Sequence, residues 1–200
     1  MTGPADQPPL RQVRADHDDE TVVVYQAYPA SIAGPAVAAQ RFVPPFSRER
    51  MTWIKPSLLW MMYRCGWATK PGQERVLAVR MTRAGFEEAL ASACLSHVDP
   101  EVYPSHEAWQ QRLATSPVRV QWDPERDAAS NPLAWRSLQV GLGRAVVPAY
   151  VDQWVVGLED VTARVHRLRE LPVSERTDLP VERPYPLPKA VAALIGASAT

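Results

Sequence analysis

Residues 47–70, SRERMTWIKPSLLWMMYRCGWATK, constrain the fold most, because they predict a helix with apolar residues on nearly every side. Pro56 suits the first turn of a helix and Gly66 suits a C-terminal cap, so the helix should cover PSLLWMMYRC. A helix that is apolar all round is buried rather than amphipathic. We therefore expect this segment to lie inside the core of the protein.

Short strand and helix patterns mix along the rest of the chain without a regular strand–helix–strand rhythm. The apolar spacing predicts strands over 21–28, 75–82, 117–127 and 154–162, and helices over 31–42, 83–97, 106–114, 144–153 and 162–171. This order favours an α+β fold over a doubly wound parallel sheet. We expect a mixed or antiparallel sheet with packed helices.

The length of 200 residues fits one domain with tails. Residues 1–15 are polar and contain proline, which predicts a flexible N-terminal arm. Residues 16–170 form the single α+β domain. Residues 171–200 contain five prolines and are expected to be an extended strap or tail.

Charge and composition exclude several classes of protein. The formal net charge is zero, with 22 basic and 22 acidic side chains, so overall charge gives no support to nucleic-acid binding. No stretch reaches the length of an apolar membrane span, and no signal peptide is visible at the start. The two cysteines and four histidines lack metal-site spacing, so we expect a cytoplasmic protein without a metal.

The usual sequence signatures of nucleotide binding and serine hydrolysis are missing. Neither GxGxxG nor GxxxxGK[ST] occurs, which argues against a Rossmann-type dinucleotide site and a P-loop. No GxSxG elbow supports a serine hydrolase. An anion site in this chain must therefore be built from side chains.

Basic residues are concentrated between positions 47 and 75. Six basic and two acidic residues give this segment a local charge of +4: Arg48, Arg50, Lys55, Arg64, Lys70, Arg75, Glu49 and Glu74. Arginine forks and lysine point charges bind phosphates and carboxylates, so an anionic small molecule or nucleotide is the expected ligand. Alternatively, these side chains lie in water or pair with the acidic run at 16–20.

Four residues in and beside the predicted helix are candidates for contact with that ligand. Arg64 interrupts an apolar helix, so its charge needs either an anionic ligand or a protein partner such as Asp123. Lys55 and Ser57 flank Pro56 at the helix start, where free N–H groups attract anions. Ser57 could instead only cap its own helix. Trp53 belongs to a series with Trp60 and Trp67 that forms either core or a stacking surface.

Polar residues on predicted strands complete the candidate site. Gln26 and Tyr28 alternate with apolar residues on the first strong strand, so they share one face. Asp123 and Arg126 lie at a strand end, where either a functional group or a salt-bridged turn is common. Gln139 could orient a ligand.

Several of these segments together resemble the family known as domain of unknown function 4291. The resemblance rests on VYQAY, RMTWIKPSLLWMMYRCGWATK, QERVLAV, VQWDPER and WVVGLEDVT, and it covers roughly residues 12 to 190. It names no substrate or reaction, because the family is defined by sequence.

The order of elements is also similar to compact ADP-ribosyltransferase-like folds, which implies NAD as the cofactor or substrate. In that comparison Gln26 and Tyr28 would face the nicotinamide ribose, the 50–64 segment would hold phosphates, and Glu159 or Asp152 would be the acidic group. The chain departs from the pattern, because it has no H-Y-E or R-S-E set. This is an analogy of fold, which implies little about function.

Two functions follow from these patterns. One is an enzyme that acts on a nucleotide or phosphorylated ligand by transferase chemistry, in which Arg50, Lys55 and Arg64 stabilise negative charge and Asp123 or Glu159 acts at the reacting centre. The other is a non-catalytic module that binds nucleic acid or protein through the same basic and aromatic segment. A concave pocket would favour the enzyme and a flat face the module.

Overall fold

The computed structural model describes residues 7–198, which form a single mixed α+β domain, as expected. Its strands are β1 Arg14–Ala15, β2 Thr21–Tyr28, β3 Thr52–Ile54, β4 Arg75–Thr82, β5 Ala93–Leu95, β6 Val118–Arg126, β7 Pro132–Leu142, β8 Val155–Asp160 and β9 Arg183–Pro184. Its α-helices are α1 Ala30–Ala39, α2 Leu58–Cys65, α3 Arg83–Ala91, α4 His106–Thr115, α5 Val147–Ala149, α6 Thr162–Glu170 and α7 Lys189–Leu194.

The strands form three sheets. One has the order β2-β4-β8 and is antiparallel throughout. The second has the order β3-β7-β6-β5, in which only the β5–β6 pair is parallel. The third is the short pair of β1 and β9. Only the second sheet is therefore mixed, and antiparallel pairs predominate in the domain.

The two larger sheets meet at a single backbone contact between Tyr25 and Lys55. The amide of Tyr25 donates to the carbonyl of Lys55 at 2.7 Å, and the amide of Lys55 donates back at 3.3 Å. The β2 strand continues into its own sheet, while the chain after Lys55 turns into α2. This junction places α2 directly beside the point where the sheets meet.

Two apolar clusters hold the domain together. The larger one includes the inward faces of both main sheets and helix α3, with Val24, Ile54, Phe86 and Val140 fully buried. The smaller one packs α2 and α6 against β2 through Leu58, Met62, Val165 and their neighbours. Burial of this apolar area is the main stabilising contribution to a fold of this kind.

Helix α2 is amphipathic, which corrects the expectation that it is buried on all sides. Ser57 caps its start and accepts from the amide of Trp60, and Gly66 closes its end in the left-handed conformation. Leu58, Met61, Met62 and Cys65 are buried on one face. Tyr63 and Arg64 are exposed on the other, so the charge of Arg64 does not need a buried partner.

The segments expected to be an arm and a strap both contribute to the core. Val13 and Ala15 are buried, β1 pairs with β9, and Tyr185 is 1% exposed. A further helix, α7, packs on α3 through the apolar residues around Val191 and Ile195. Residues 1–6 and 199–200 of those segments lie outside the described residues.

Most predicted elements are present, with one substantial error in the middle of the chain. The strand predicted at 21–28 is β2, and that predicted at 75–82 is β4. The helix predicted over 83–97 ends at Ala91, and its second half is the buried strand β5. Within residues 7–198, no helix has the length and apolar character needed to cross a membrane.

Candidate functional site

One face of the second sheet carries polar residues that form a pocket with α2. Alternate positions on each strand point to the same face, and the register places Gln121 opposite Gln139 and Trp53 opposite Gly141. The other face carries Ile54, Val140 and other core residues. We call the resulting cavity the Lys55 pocket; it has a volume of about 370 Å³ and is lined by Trp53, Lys55, Trp60, Arg64, Gln121, Asp123 and Gln139.

Gly141 allows the indole of Trp53 to lie close to the sheet at the pocket edge. A Cβ atom at position 141 would come within 3.0 Å of the Trp53 ring and 2.8 Å of the sulfur of Met51. Any larger residue would therefore push the ring away from β7. The ring can thus form a wall of the pocket while its strand remains paired.

Asp123 is held in place by two amide side chains on the pocket floor. Gln121 Nε2 donates to Asp123 Oδ1 at 2.9 Å, and Gln139 Nε2 donates to Asp123 Oδ2 at 2.6 Å. Gln121 and Asp123 are two residues apart on β6, and Gln139 lies across from Gln121 on β7. The carboxylate therefore has a fixed orientation and remains available on its open side.

Lys55 is the most unusual group in the pocket. It is only 6% exposed, and its amine makes neither a hydrogen bond nor an ion pair with residues 7–198. Burial lowers the pKa of Lys55 to about 8, with a further decrease from the nearby charge of Arg64 and a partial opposing effect of Asp123. With this pKa roughly a tenth of the amine is uncharged and nucleophilic at pH 7, and the rest carries a positive charge.

Helix α2 provides the aromatic and cationic wall of the pocket. Trp60 and Arg64 are one turn apart, which places them on the same face of the helix. The indole of Trp60 stacks on Tyr63 with ring centres 5.3 Å apart. The indole N–H of Trp60 is buried without a hydrogen-bond partner among the described residues.

Arg126 lies outside the pocket, against this aromatic pair. Its guanidinium is 3.7 Å from the centre of the Tyr63 ring and 5.7 Å from that of Trp60. Cation–π contacts of this geometry stabilise the packing of side chains. In this position Arg126 supports the α2 wall, and ligand binding by Arg126 stays a prediction.

The start of α2 is already occupied by the protein's own carboxylates. The amide of Leu58 donates to Glu182 Oε1 at 2.7 Å, and the hydroxyl of Ser57 donates to Glu125 Oε1 at 3.0 Å. Burial raises the pKa of Glu125, and burial together with the Glu125 charge raises that of Glu182 to about 8. Ser57 therefore has the capping role that the sequence left open and also binds Glu125, while a phosphate contact stays a prediction.

Gln26 and Tyr28 form an internal network instead of facing a ligand. Gln26 Nε2 donates to Thr52 at 2.7 Å and to Tyr28 at 2.8 Å, and the hydroxyl of Tyr150 donates to Gln26 Oε1 at 2.7 Å. Gln26 is 2% exposed. The network ties β2 to β3 and to the π-helical segment Tyr150–Trp154.

The remaining predicted residues lie away from the Lys55 pocket. Arg50 is exposed in the loop before β3. Glu159 is exposed on β8 and borders a different cavity, and Asp152 pairs with Arg48 at 2.6 Å. The positions suggested by the ADP-ribosyltransferase-like comparison therefore do not come together. Among the described residues, no group of three or more His, Cys, Asp or Glu side chains could hold a metal ion.

Five of the predicted residues do come together in the pocket: Trp53, Lys55, Arg64, Asp123 and Gln139. Gln121 was missed, although its position two residues before Asp123 on a strand is a signal that it shares the same face. The importance of Glu182 was also missed, because a proline-rich segment gives no indication of which distant backbone group its carboxylate binds.

Comparison with known proteins gives one family. The model of the family described as Domain of unknown function (DUF4291) matches residues 12–185. Neither the curated proteins nor the solved structures include a match to the chain. The matched range contains all five segments on which the resemblance rests.

Proposed function

The chain belongs to the DUF4291 family, and from that starting point we propose that it is an enzyme acting on a small anionic ligand of the nucleotide or sugar-phosphate class. The ligand occupies the Lys55 pocket, and the amine of Lys55 is the reacting group. Transfer of part of the ligand is the reaction type that this arrangement suits best.

The observation that carries the proposal is the unpaired amine of Lys55. A buried cation without a partner costs several kcal/mol, so such a group persists where it has a task or a ligand. Its lowered pKa provides the uncharged form that nucleophilic or general-base catalysis requires. Asp123, fixed by Gln121 and Gln139, supplies an acceptor in the same pocket.

The ligand class follows from the walls of the pocket. Lys55 and Arg64 are two cations against the single carboxylate of Asp123, which favours an anion. Trp53 and Trp60 provide flat apolar surfaces suited to a planar ring. The volume of about 370 Å³ lies in the range of small-molecule pockets, which favours a compact ligand over a polymer.

A thermal-shift screen tests the binding half of the proposal. The probes are NAD, ATP, GTP, pyrophosphate, ribose 5-phosphate and a short oligonucleotide, tested on the wild type, Arg64→Ala and Arg50→Ala. A ligand at about 100 times its dissociation constant adds about 2.7 kcal/mol of stability. We expect a mononucleotide or sugar phosphate to raise Tm in the wild type and Arg50→Ala, and the effect to be lost in Arg64→Ala.

Arg50→Ala is the matched control, because it removes an exposed arginine outside the pocket. Stabilisation by the oligonucleotide alone, fading steeply with added salt, would instead favour the binding module. Equal loss of the shift in both variants would contradict binding in the Lys55 pocket.

Selective modification of lysines tests the catalytic half. The chain has only three lysines, Lys55, Lys70 and Lys189, so an amine-reactive label can be assigned to each by mass spectrometry. We expect the ligand found in the screen to protect Lys55 and to leave the other two labelled as before. Protection of all three or of none would overturn the role assigned to Lys55.

A further inference from the structure

A second and larger cavity lies on the sheet β2-β4-β8, outside the Lys55 pocket and sharing no residue with it. It has a volume of about 440 Å³ and is enclosed by the sheet, by α6 and by the segment 179–181. We call it the Tyr25 cavity. Nothing in the function proposed above makes use of it.

Tyr25 provides the first indication of a ligand. The residue is 4% exposed, yet its hydroxyl makes no hydrogen bond with the described residues. The hydroxyl oxygen is not fully enclosed by protein atoms. Because Tyr25 lines the cavity, its small exposed part opens into the cavity. A buried hydroxyl in this situation is available to a bound molecule.

The charges around the cavity are unevenly matched. Arg80 is hydrogen-bonded to Thr21 at 2.8 Å and lies 3.4 Å from Asp18, and Arg164 is held by Asp178 at 2.9 Å. Both arginines at the rim therefore already have partners.

The acidic groups at the same rim do not. The side chains of Asp16 and Glu159 line the cavity, and neither forms a hydrogen bond or an ion pair with residues 7–198. The unpaired charges at the rim are therefore those of the two carboxylates, and both are negative. Burial is the main cause of the raised pKa of Tyr25, and the nearby Glu182 and Asp16 raise it further. The hydroxyl of Tyr25 therefore remains protonated.

We propose that the Tyr25 cavity binds a small organic cation, an ammonium or guanidinium group carried on a short apolar body. The cationic group lies between Asp16 and Glu159 and contacts the hydroxyl of Tyr25. The apolar body packs against Val23, Leu58, Val161 and Val165, which line the inner wall. Charge-assisted hydrogen bonds to carboxylates are the strong contacts of such a site.

Three probes of similar size and shape test the charge requirement: benzylammonium, benzyl alcohol and benzoate. Agmatine serves as the guanidinium probe. Binding is followed by chemical shifts of the backbone amides, with Ala78 and Gly157 as reporters inside the cavity. We expect benzylammonium and agmatine to bind at least about tenfold more tightly than benzyl alcohol, and benzoate to cause no shift at these reporters.

Four variants locate the site. Tyr25→Phe removes only the hydroxyl and Glu159→Gln only the charge, and both should weaken benzylammonium severalfold while the protein remains folded. Glu88→Gln removes an exposed carboxylate on α3 and is the matched control, which should bind normally. Lys55→Met should also bind normally, because Lys55 lies in the other pocket, and this separates the outcome from that of the nucleotide screen.

Equal binding of benzoate and benzylammonium would overturn the proposal, as would shifts confined to residues outside the cavity. Absence of any reporter shift up to about 10 mM of either cation would also overturn the proposal, since that concentration exceeds the dissociation constant expected even for a small fragment.

Discussion

At the scale of single residues, the buried amine of Lys55 lowers the stability of the fold and is also the group proposed to react with the ligand. A cation that is 6% exposed and unpaired destabilises the folded state by the free energy of its desolvation. Sites built for binding or catalysis often retain such groups at the expense of stability. The same residue that carries the proposed reaction should therefore be a weak point of the fold.

Replacement of Lys55 by methionine should stabilise the protein. We expect Lys55→Met to raise the free energy of unfolding at neutral pH by about 1–3 kcal/mol, because the pKa is lowered from 10.5 to about 8 by burial. The unfolded chain binds more protons than the folded one between these values, so the wild type should gain stability relative to the variant as pH rises from about 8 to 10. Urea denaturation across that range measures both effects.

Lys189→Met is the control for this experiment, since Lys189 is exposed at the start of α7. It should change neither the stability nor its dependence on pH. A loss of stability in Lys55→Met would show that the amine is a structural group with a partner in solution.

Glu182 should make the free energy of unfolding fall as pH rises, which is opposite to the effect of Lys55. Its pKa is raised from 4.5 to about 8, so the folded protein binds more protons than the unfolded chain between these values and loses stability as pH rises. Glu182→Gln keeps an oxygen for the amide of Leu58 and removes the titration. We expect the variant to match the wild type near pH 5 and to exceed its free energy of unfolding by about 1 kcal/mol or more near pH 9.

Urea midpoints at the two pH values provide the measurement, with Glu170→Gln as an exposed control at the end of α6. Equal differences at both pH values would contradict a proton held by Glu182 in the folded state.

The site could be predicted from the sequence where local pattern determined it. Lys55 and Trp53 stand out because they are polar or bulky residues at alternate positions beside a helix start, and Asp123 lies on a recognisable strand. The hydrogen bonds of Gln26 and Ser57 could not be predicted from local pattern. Their partners, Tyr150 and Glu125, are distant in sequence, so only the folded chain shows that their hydrogen bonds are already made.

At the scale of elements, α3 depends on the absence of a side chain at one position. A Cβ atom on Gly85 would lie 2.3 Å from Cγ of Trp154, in the π-helical segment that packs on α3. Trp154 is 5% exposed and has no room to withdraw. The helix and the π-helical segment can approach closely only because residue 85 is glycine.

Gly85→Ala should therefore destabilise the protein by about 3 kcal/mol, the upper end of the range for overpacking. Gly34→Ala is the matched control, because Gly34 also lies within a helix but its Cβ would meet no atom within 4 Å. We expect that change to be neutral or to stabilise by up to about 1 kcal/mol. Thermal or urea denaturation would show similar effects of the two changes if the contact with Trp154 were unimportant.

The longer elements between residues 21 and 171 were largely predictable, whereas β1, β3, β5, β9 and α7 were not expected. Strands such as β2 and β4 carry clear β-branched or alternating patterns, and α2 has recognisable residues at both ends. The segment ACL of β5 is too short to show a period, and it follows a helix whose apolar residues continue into it. Its pairing with β6 decides its conformation, which is a tertiary effect.

At the scale of the whole molecule, Tyr185 joins the C-terminal segment to the core. It is 1% exposed, its hydroxyl donates to Glu87 at 2.7 Å and accepts from Arg83 at 3.1 Å, and its ring contacts Phe86 with centres 5.4 Å apart. The proline content of residues 171–200 predicted an extended segment, but not that it would complete the core.

We expect Tyr185→Ala to lower the free energy of unfolding by about 3–5 kcal/mol and Tyr185→Phe by only about 1 kcal/mol, because the second change keeps the buried ring. Equilibrium denaturation in urea measures both. A small effect of the alanine variant would mean that the C-terminal segment adds little to the stability of the rest of the domain.

The pairing of Arg14 with Pro184 also sets an order of events during synthesis. The partner of β1 leaves the ribosome only after 170 further residues have been added, which takes roughly 10 to 30 s at typical rates of translation. Until then Val13 and Ala15 lack the backbone partners Tyr185 and Arg183, and the Tyr25 cavity lacks its wall at 179–181. The pairing of β1 is therefore among the last contacts that the growing chain can make, and the closure of the Tyr25 cavity has to wait equally long.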